Sequence, residues 1–126
     1  MNIKSKFFVD VYDCTVYVIV CRNVKRSLDW YAKKNGESFK TYQAEGYIYS
    51  PSEHIGEYYM FLECNSLTAN TKNHEKSHLV EYILKDRDIK NTGETRAYLD
   101  GYISEQIDKI LKKRKKAICQ LRKLTT

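Results

Sequence analysis

Residues 57–87 read EYYMFLECNSLTANTKNHEKSHLVEYILKDR, and within them the hydrophobic period changes from two to about 3.6. Residues 57–64 alternate as a strand. After a polar linker at 65–70, residues 71–87 repeat as a helix. Working upstream, 46–49 reads as a partner strand, joined to 57–64 by a loop that holds the chain's only proline, Pro51. Residues 7–12 set Phe7, Val9 and Val11 against Phe8, Asp10 and Tyr12. Residues 15–22 set Val16, Val18 and Val20 against Tyr17, Ile19 and Cys21. With Asp13 and Cys14 as the short connection, these two runs make a β-hairpin. Residues 27–34 have helical character and stop at Asn35-Gly36. Downstream, Asn91-Thr92-Gly93 is a start signal for a second, longer helix from 94 to about 121. Sheet first and helices after predicts an α+β domain. It would hold a small antiparallel or mixed sheet of about four strands, one helix carrying His74 to His78, and a long C-terminal helix.

A chain of 126 residues has room for one domain. Eleven Tyr, four Phe and one Trp supply enough apolar surface to offset the entropy of ordering it. No apolar run approaches the roughly 20 residues that span a bilayer. The basic start at 1–6 leads into an alternating segment with Asp10 and Asp13, which reads as strand rather than as a signal-peptide core. Cys14, Cys21, Cys64 and Cys119 form no CxxC pair, which argues against a four-thiolate zinc site. They read as buried, reduced thiols. Eight of the 22 basic residues and none of the 16 acidic ones lie from Lys109 onward, leaving 14 against 16 in the first 108. The expected layout is therefore a domain over 1–108 and a basic, amphipathic helical extension over 109–126.

The chemistry concentrates in His74-Glu75-Lys76-Ser77-His78. Histidines at i and i+4 lie about 40° apart on a helix, so both imidazoles can face one ion. Glu75, roughly 100° around, is placed to take a proton from a water activated by that ion, the general-base task in metal-assisted hydrolysis. With His74 at 0°, Leu79, Val80, Ile83 and Leu84 fall at roughly 140–280°, so the apolar stripe faces away from the histidines. Lys76, near 200°, lies inside the apolar arc, where its ammonium must snorkel out. Catalytic zinc usually takes three protein ligands. The best downstream candidate is Glu94, in the first turn of the next helix. Ala97 and Gly101, small and four apart, would let the two helices approach closely.

HExxH followed, after a turn, by a helix beginning Glu-x-x-Ala-Tyr resembles the gluzincin group of zinc metallopeptidases. More narrowly, residues 71–107 resemble small bacteriophage-encoded proteins with a minimal zincin motif. The matching run is His-Glu…His…Tyr-Ile-Leu-x-x-Arg-x-Ile…Gly-Glu-Thr-x-Ala-Tyr-Leu-x-x-Tyr-Ile. The resemblance implies one zinc ion held by His74, His78 and Glu94, with Glu75 as catalytic base. It also implies hydrolysis of peptide or protein substrates, and a place in the host cytoplasm or the phage virion. The alternative is an inactive structural or interaction protein of the same fold, a virion or accessory component that docks through its C-terminal helix.

Plainer roles compete at several positions. Glu94 also suits a capping box with the Asn91-Thr92-Gly93 start. His54 in the Pro51 loop reads as a solvent-exposed histidine, with assistance to catalysis as the sharper option. Tyr98 and Tyr102, on the Glu94 side of their helix, would serve packing or stabilise an oxyanion. Apolar residues continue at helical spacing through the basic C-terminal run. That favours a docking or solvated helix there over nucleic-acid binding. No membrane partner is expected.

Overall fold

The computed structural model describes residues 2–38, 44–52 and 54–124. Its first two strands, β1 (Ile3–Val9) and β2 (Cys14–Cys21), form the expected antiparallel hairpin. The first strand starts earlier and ends sooner than the sequence reading placed it. Ile3, Ser5, Phe7 and Val9 share one face while Lys4 and Lys6 point to the other, so the lysines fit the strand without being buried. Beyond Val9 the chain makes a single 3-10 turn, Asp10–Tyr12, and Asp13 adopts a left-handed conformation at φ 48°.

Helix α1 (Val24–Lys34) follows, capped by the Asn23 side chain, which accepts from the Arg26 N–H. Strands β3 (Gly46–Tyr49) and β4 (Glu57–Glu63) complete a four-stranded sheet of order β1-β2-β4-β3. Strand β4 runs parallel to β2 and antiparallel to β3, so the sheet is mixed. Passing through α1 before returning allows the parallel pairing, which a tight hairpin could not connect. One sheet face packs Val16, Val18, Ile48, Tyr58, Met60 and Leu62 against the later helices. The other packs Ile19, Cys21, Tyr49 and Phe61 against Leu28 and Tyr31 of α1.

Helix α2 (Ala69–Asp86) starts at Thr68, whose hydroxyl accepts from the Thr71 N–H. It buries Leu79, Val80, Ile83 and Leu84, the arc expected from the sequence. Helix α3 (Gly93–Lys113) lies alongside it through a polar seam. There Lys76 Nζ donates to Ser104 Oγ at 2.7 Å and stands 3.9 Å from Asp100, which relieves its burial. The expected single long helix is two. Arg114 ends α3 and begins α4 (Lys115–Lys123), which tucks Ile118 and Leu121 under Ile3, Val20 and Cys64. Together these elements make an α+β fold. No helix among the described residues is long and apolar enough to cross a membrane.

All four cysteines are free; Cys14, Cys21 and Cys64 are buried, but Cys119 is exposed, contrary to the expectation of four buried thiols. Burial pushes the Cys14 and Cys21 thiols up to about 11, only partly offset by Arg87 near Cys14 and by a hydrogen bond from Ser27 to Cys21. A raised thiol value stabilises the fold fully below the unfolded-state value near 9, and that stabilisation is lost as pH climbs towards 11. Each thiol should therefore withdraw on the order of 2 kcal/mol across that window, read as a falling urea midpoint. In the native protein at neutral pH, Cys119 alone should react rapidly with a thiol reagent, and unfolding should release the other three. A second fast thiol before unfolding would contradict this burial.

Candidate functional site

The histidines project from the outer face of α2, both exposed, with their Nε2 atoms 3.3 Å apart. Two ligands on a tetrahedral zinc at ~2.0–2.1 Å are separated by about 3.3–3.4 Å, so the pair already spans one edge of that polyhedron. As a hydrogen bond the same contact is longer than the usual ~2.9–3.0 Å. The rings meet edge to face, with centroids 4.8 Å apart.

Glu75 turns the other way, inward, and is 6% exposed. It lies against the first residue of the edge strand β3. A Cβ on Gly46 would stand 2.6 Å from Glu75 Cγ and 3.1 Å from its Oε2. Glycine is thus required for the carboxylate to sit there. Burial raises the Glu75 carboxyl above its ordinary value, and the two neighbouring histidines pull it partly back. A base held above the usual carboxylate range is better matched to proton transfer near neutral pH.

The histidines and Glu75 line a cleft of about 240 Å³ between α2 and β3, with Gly46, Tyr47, Ile48 and Tyr82 as the remaining wall. The cleft continues at one end past Glu45 and Thr71, whose side chains are joined by a 3.1 Å hydrogen bond. At the other end it opens beside Tyr49, Lys85 and Asp86. Together these spaces form a groove along the sheet edge with the histidine pair near its middle. The Tyr47 phenol is raised by burial and by the nearby Tyr82 and Glu75.

Glu94 does not join the pair. Among the described residues no three His, Cys, Asp or Glu side chains come together as a metal-holding group. Glu94 is exposed in the first turn of α3, and the buried stripe Leu99, Ile103 and Ile107 lies roughly 140–220° around the helix from it. Ala97 and Gly101 share its outward face, and a Cβ on Gly101 would meet nothing within 4 Å, so these small residues do not bring the helices together. Besides the Lys76 contacts, the helices are joined by Arg96, which bonds Ser77 Oγ at 2.9 Å and pairs with Glu81. The capping box is also not the one expected from the sequence. It is closed by Thr92 and Thr95, leaving Glu94 as an acidic first-turn residue.

His54 is exposed in the turn before β4 and lines none of this groove. Tyr98 is half-exposed, and Tyr102 donates to the Phe8 carbonyl at 2.7 Å, a packing role. Sequence reasoning missed Gly46, Tyr47 and Tyr82. A glycine opening an otherwise aromatic strand was the available signal, since glycine within a strand marks a close approach of another group. Comparison with known proteins found no matching family model, no matching curated protein and no matching solved structure.

Proposed function

We propose that this chain is a zinc-dependent, metallopeptidase-like protein that hydrolyses peptide bonds in the α2–β3 groove. The observation that carries the reading is the meeting, in one cleft, of two imidazoles at tetrahedral-edge spacing and a buried carboxylate. His74 and His78 would hold the ion. When bound, zinc supplies Lewis acidity that polarises a carbonyl and makes water acidic near neutral pH. Glu75 takes the proton of the attacking water and returns it to the departing amine. Gly46 leaves room for that carboxylate, and β3, the outer strand of the described sheet, forms one wall of the groove.

Glu75→Gln should keep zinc and lower hydrolysis of a peptide mixture by about 10²–10⁴-fold. Turnover that survives the substitution would contradict the mechanism. Assigning Glu94 as third ligand rests on the sequence resemblance. A loss of zinc affinity in Glu94→Ala as large as that in His74→Ala would support it. Unchanged affinity would leave Glu94 a helix-start carboxylate.

The position of Glu94 favours a second reading: a structural or interaction protein, of the phage virion or accessory kind, that uses the same fold without turnover. Docking through α4 would then use its basic outer side, because Ile118 and Leu121 are already buried within the chain. Binding of zinc with no hydrolysis of any peptide tested would support this reading over the first.

A further inference from the structure

The sheet face opposite α2 and α3 carries a feature that the proposed hydrolytic site does not use. Helix α1 covers only part of it. A strip of rings runs from the helix's own Trp30 and the buried Tyr31 onto Tyr59 and Tyr17 of the strands. Trp30 meets Tyr31 at 4.8 Å between centroids, Tyr31 meets Tyr59 at 5.2 Å, and Tyr59 stacks on Tyr17 at 4.7 Å. Trp30 is 58% exposed, and Tyr17 and Tyr59 are half-buried. Beside them on β1, Phe8 is 45% exposed. Contiguous apolar surface left open to solvent marks an interaction site.

Cations lie on the same strip. Lys4 Nζ stands 4.7 Å from the centre of the Tyr17 ring and 5.7 Å from that of Tyr59, and Lys34 Nζ is 5.2 Å from that of Trp30. Lys6, paired in register with Tyr17, points to this face as well. The opposing carboxylates on these strands are Glu57 and Glu63, at the two ends of β4. Glu63 is occupied by the Asn65 N–H and the Ser66 hydroxyl. Flat rings spaced along a sheet, with ammonium groups among them, complement a ligand that alternates π-faces and phosphates. A duplex hides its base faces, whereas a single strand exposes them.

We propose that this sheet face binds single-stranded nucleic acid, with bases stacked on Tyr17, Phe8 and Trp30 and phosphates paired with Lys4, Lys6 and Lys34. The basic C-terminal helix lies elsewhere and is not part of this site. Exposed cation–π contacts are weak, so Lys4 and Lys34 can leave their rings for phosphates as bases take their place.

Trp30 is the chain's only tryptophan, so its fluorescence reports from the strip itself. Titration of the full chain with oligothymidine of about ten nucleotides should quench Trp30 saturably. With three lysines engaged, log K should fall against log salt with a slope of about −2. Phe8→Ala should weaken binding by about tenfold, and Lys4→Gln should make the slope shallower by about 0.7, each with an unchanged far-ultraviolet spectrum. Replacing Lys112, Lys113, Lys115 and Lys116 by Gln should leave the Trp30 quench in place. Binding that disappears with those four lysines yet ignores Phe8→Ala and Lys4→Gln would overturn the proposal, as would an absence of quenching at low salt.

Discussion

Gly46→Ala should destabilise the protein by about 1–3 kcal/mol, because the added methyl enters space that the Glu75 side chain fills. The Cβ would stand 2.6 Å from Glu75 Cγ and 3.0 Å from its Cδ, distances at which something must move. Glu75 is held on a helix whose neighbouring residues Leu79 and Val80 are fully buried, so α2 cannot retreat without opening the core. Strand β3 is paired to β4 over Gly46–Tyr49 and is equally constrained. The side chain itself must swing out, taking the carboxylate from its place in the cleft. Urea unfolding of Gly46→Ala, Glu75→Ala and the double variant tests this directly. Truncating Glu75 to Ala clears the space, so the Gly46→Ala cost should vanish in that background, a coupling of about 1 kcal/mol or more. An equal cost in both backgrounds would show that Gly46 matters for some other reason.

Leu121→Ala should cost about 2–5 kcal/mol, as large as a substitution in the centre of the sheet. Leu121 is 1% exposed and Ile118 4%, and both close over Ile3, Val20 and Cys64. The Arg122 Nε donation to the Cys64 carbonyl, at 2.6 Å, fixes α4 against the end of β4. For a chain of this length, a loss of ~3 kcal/mol should lower the thermal midpoint by about 10 °C. Truncation after residue 108 removes all of α4 and the last turn of α3, and should leave a chain that no longer unfolds cooperatively. A truncated protein with an unchanged midpoint would show that the basic segment is dispensable to the fold. Because truncation damages the core, partner binding through α4 is better tested by substituting its exposed lysines.

The expected class of fold was legible because each face declares itself. The valines of β2 alternate with Tyr17, Ile19 and Cys21, and the α2 stripe of Leu79, Val80, Ile83 and Leu84 has a single period. What was not legible depends on partners distant in sequence. The parallel pairing of β2 with β4 needs α1 to carry the chain across, and nothing within either strand encodes it. Lys4 and Lys6 hid the start of β1 because a lysine on an exposed strand face looks like one in a tail. The break at Arg114 interrupts an apolar pattern that runs on unbroken in sequence, and it shows only in the redirected packing of Ile118 and Leu121.

The site was legible to the extent that it is local. His74 and His78 meet because i and i+4 always meet on a helix. Glu94 required knowing how α3 is rotated against α2, and its own stripe of Leu99, Ile103 and Ile107 held that information. Those residues turn the Glu94 face outward. Gly46 required knowing that β3 lies against the Glu75 turn of α2, a tertiary contact that the sequence signals only as a glycine in an unexpected place.

The most direct test of the histidine pair as a metal clamp is elemental analysis of the purified protein after equilibration with zinc. His74→Ala and His78→Ala would be carried beside it. About one zinc per chain, lost in both variants while their unfolding midpoints stay unchanged, is the predicted result. Zinc that is absent from the parent protein, or present equally in all three, would contradict it.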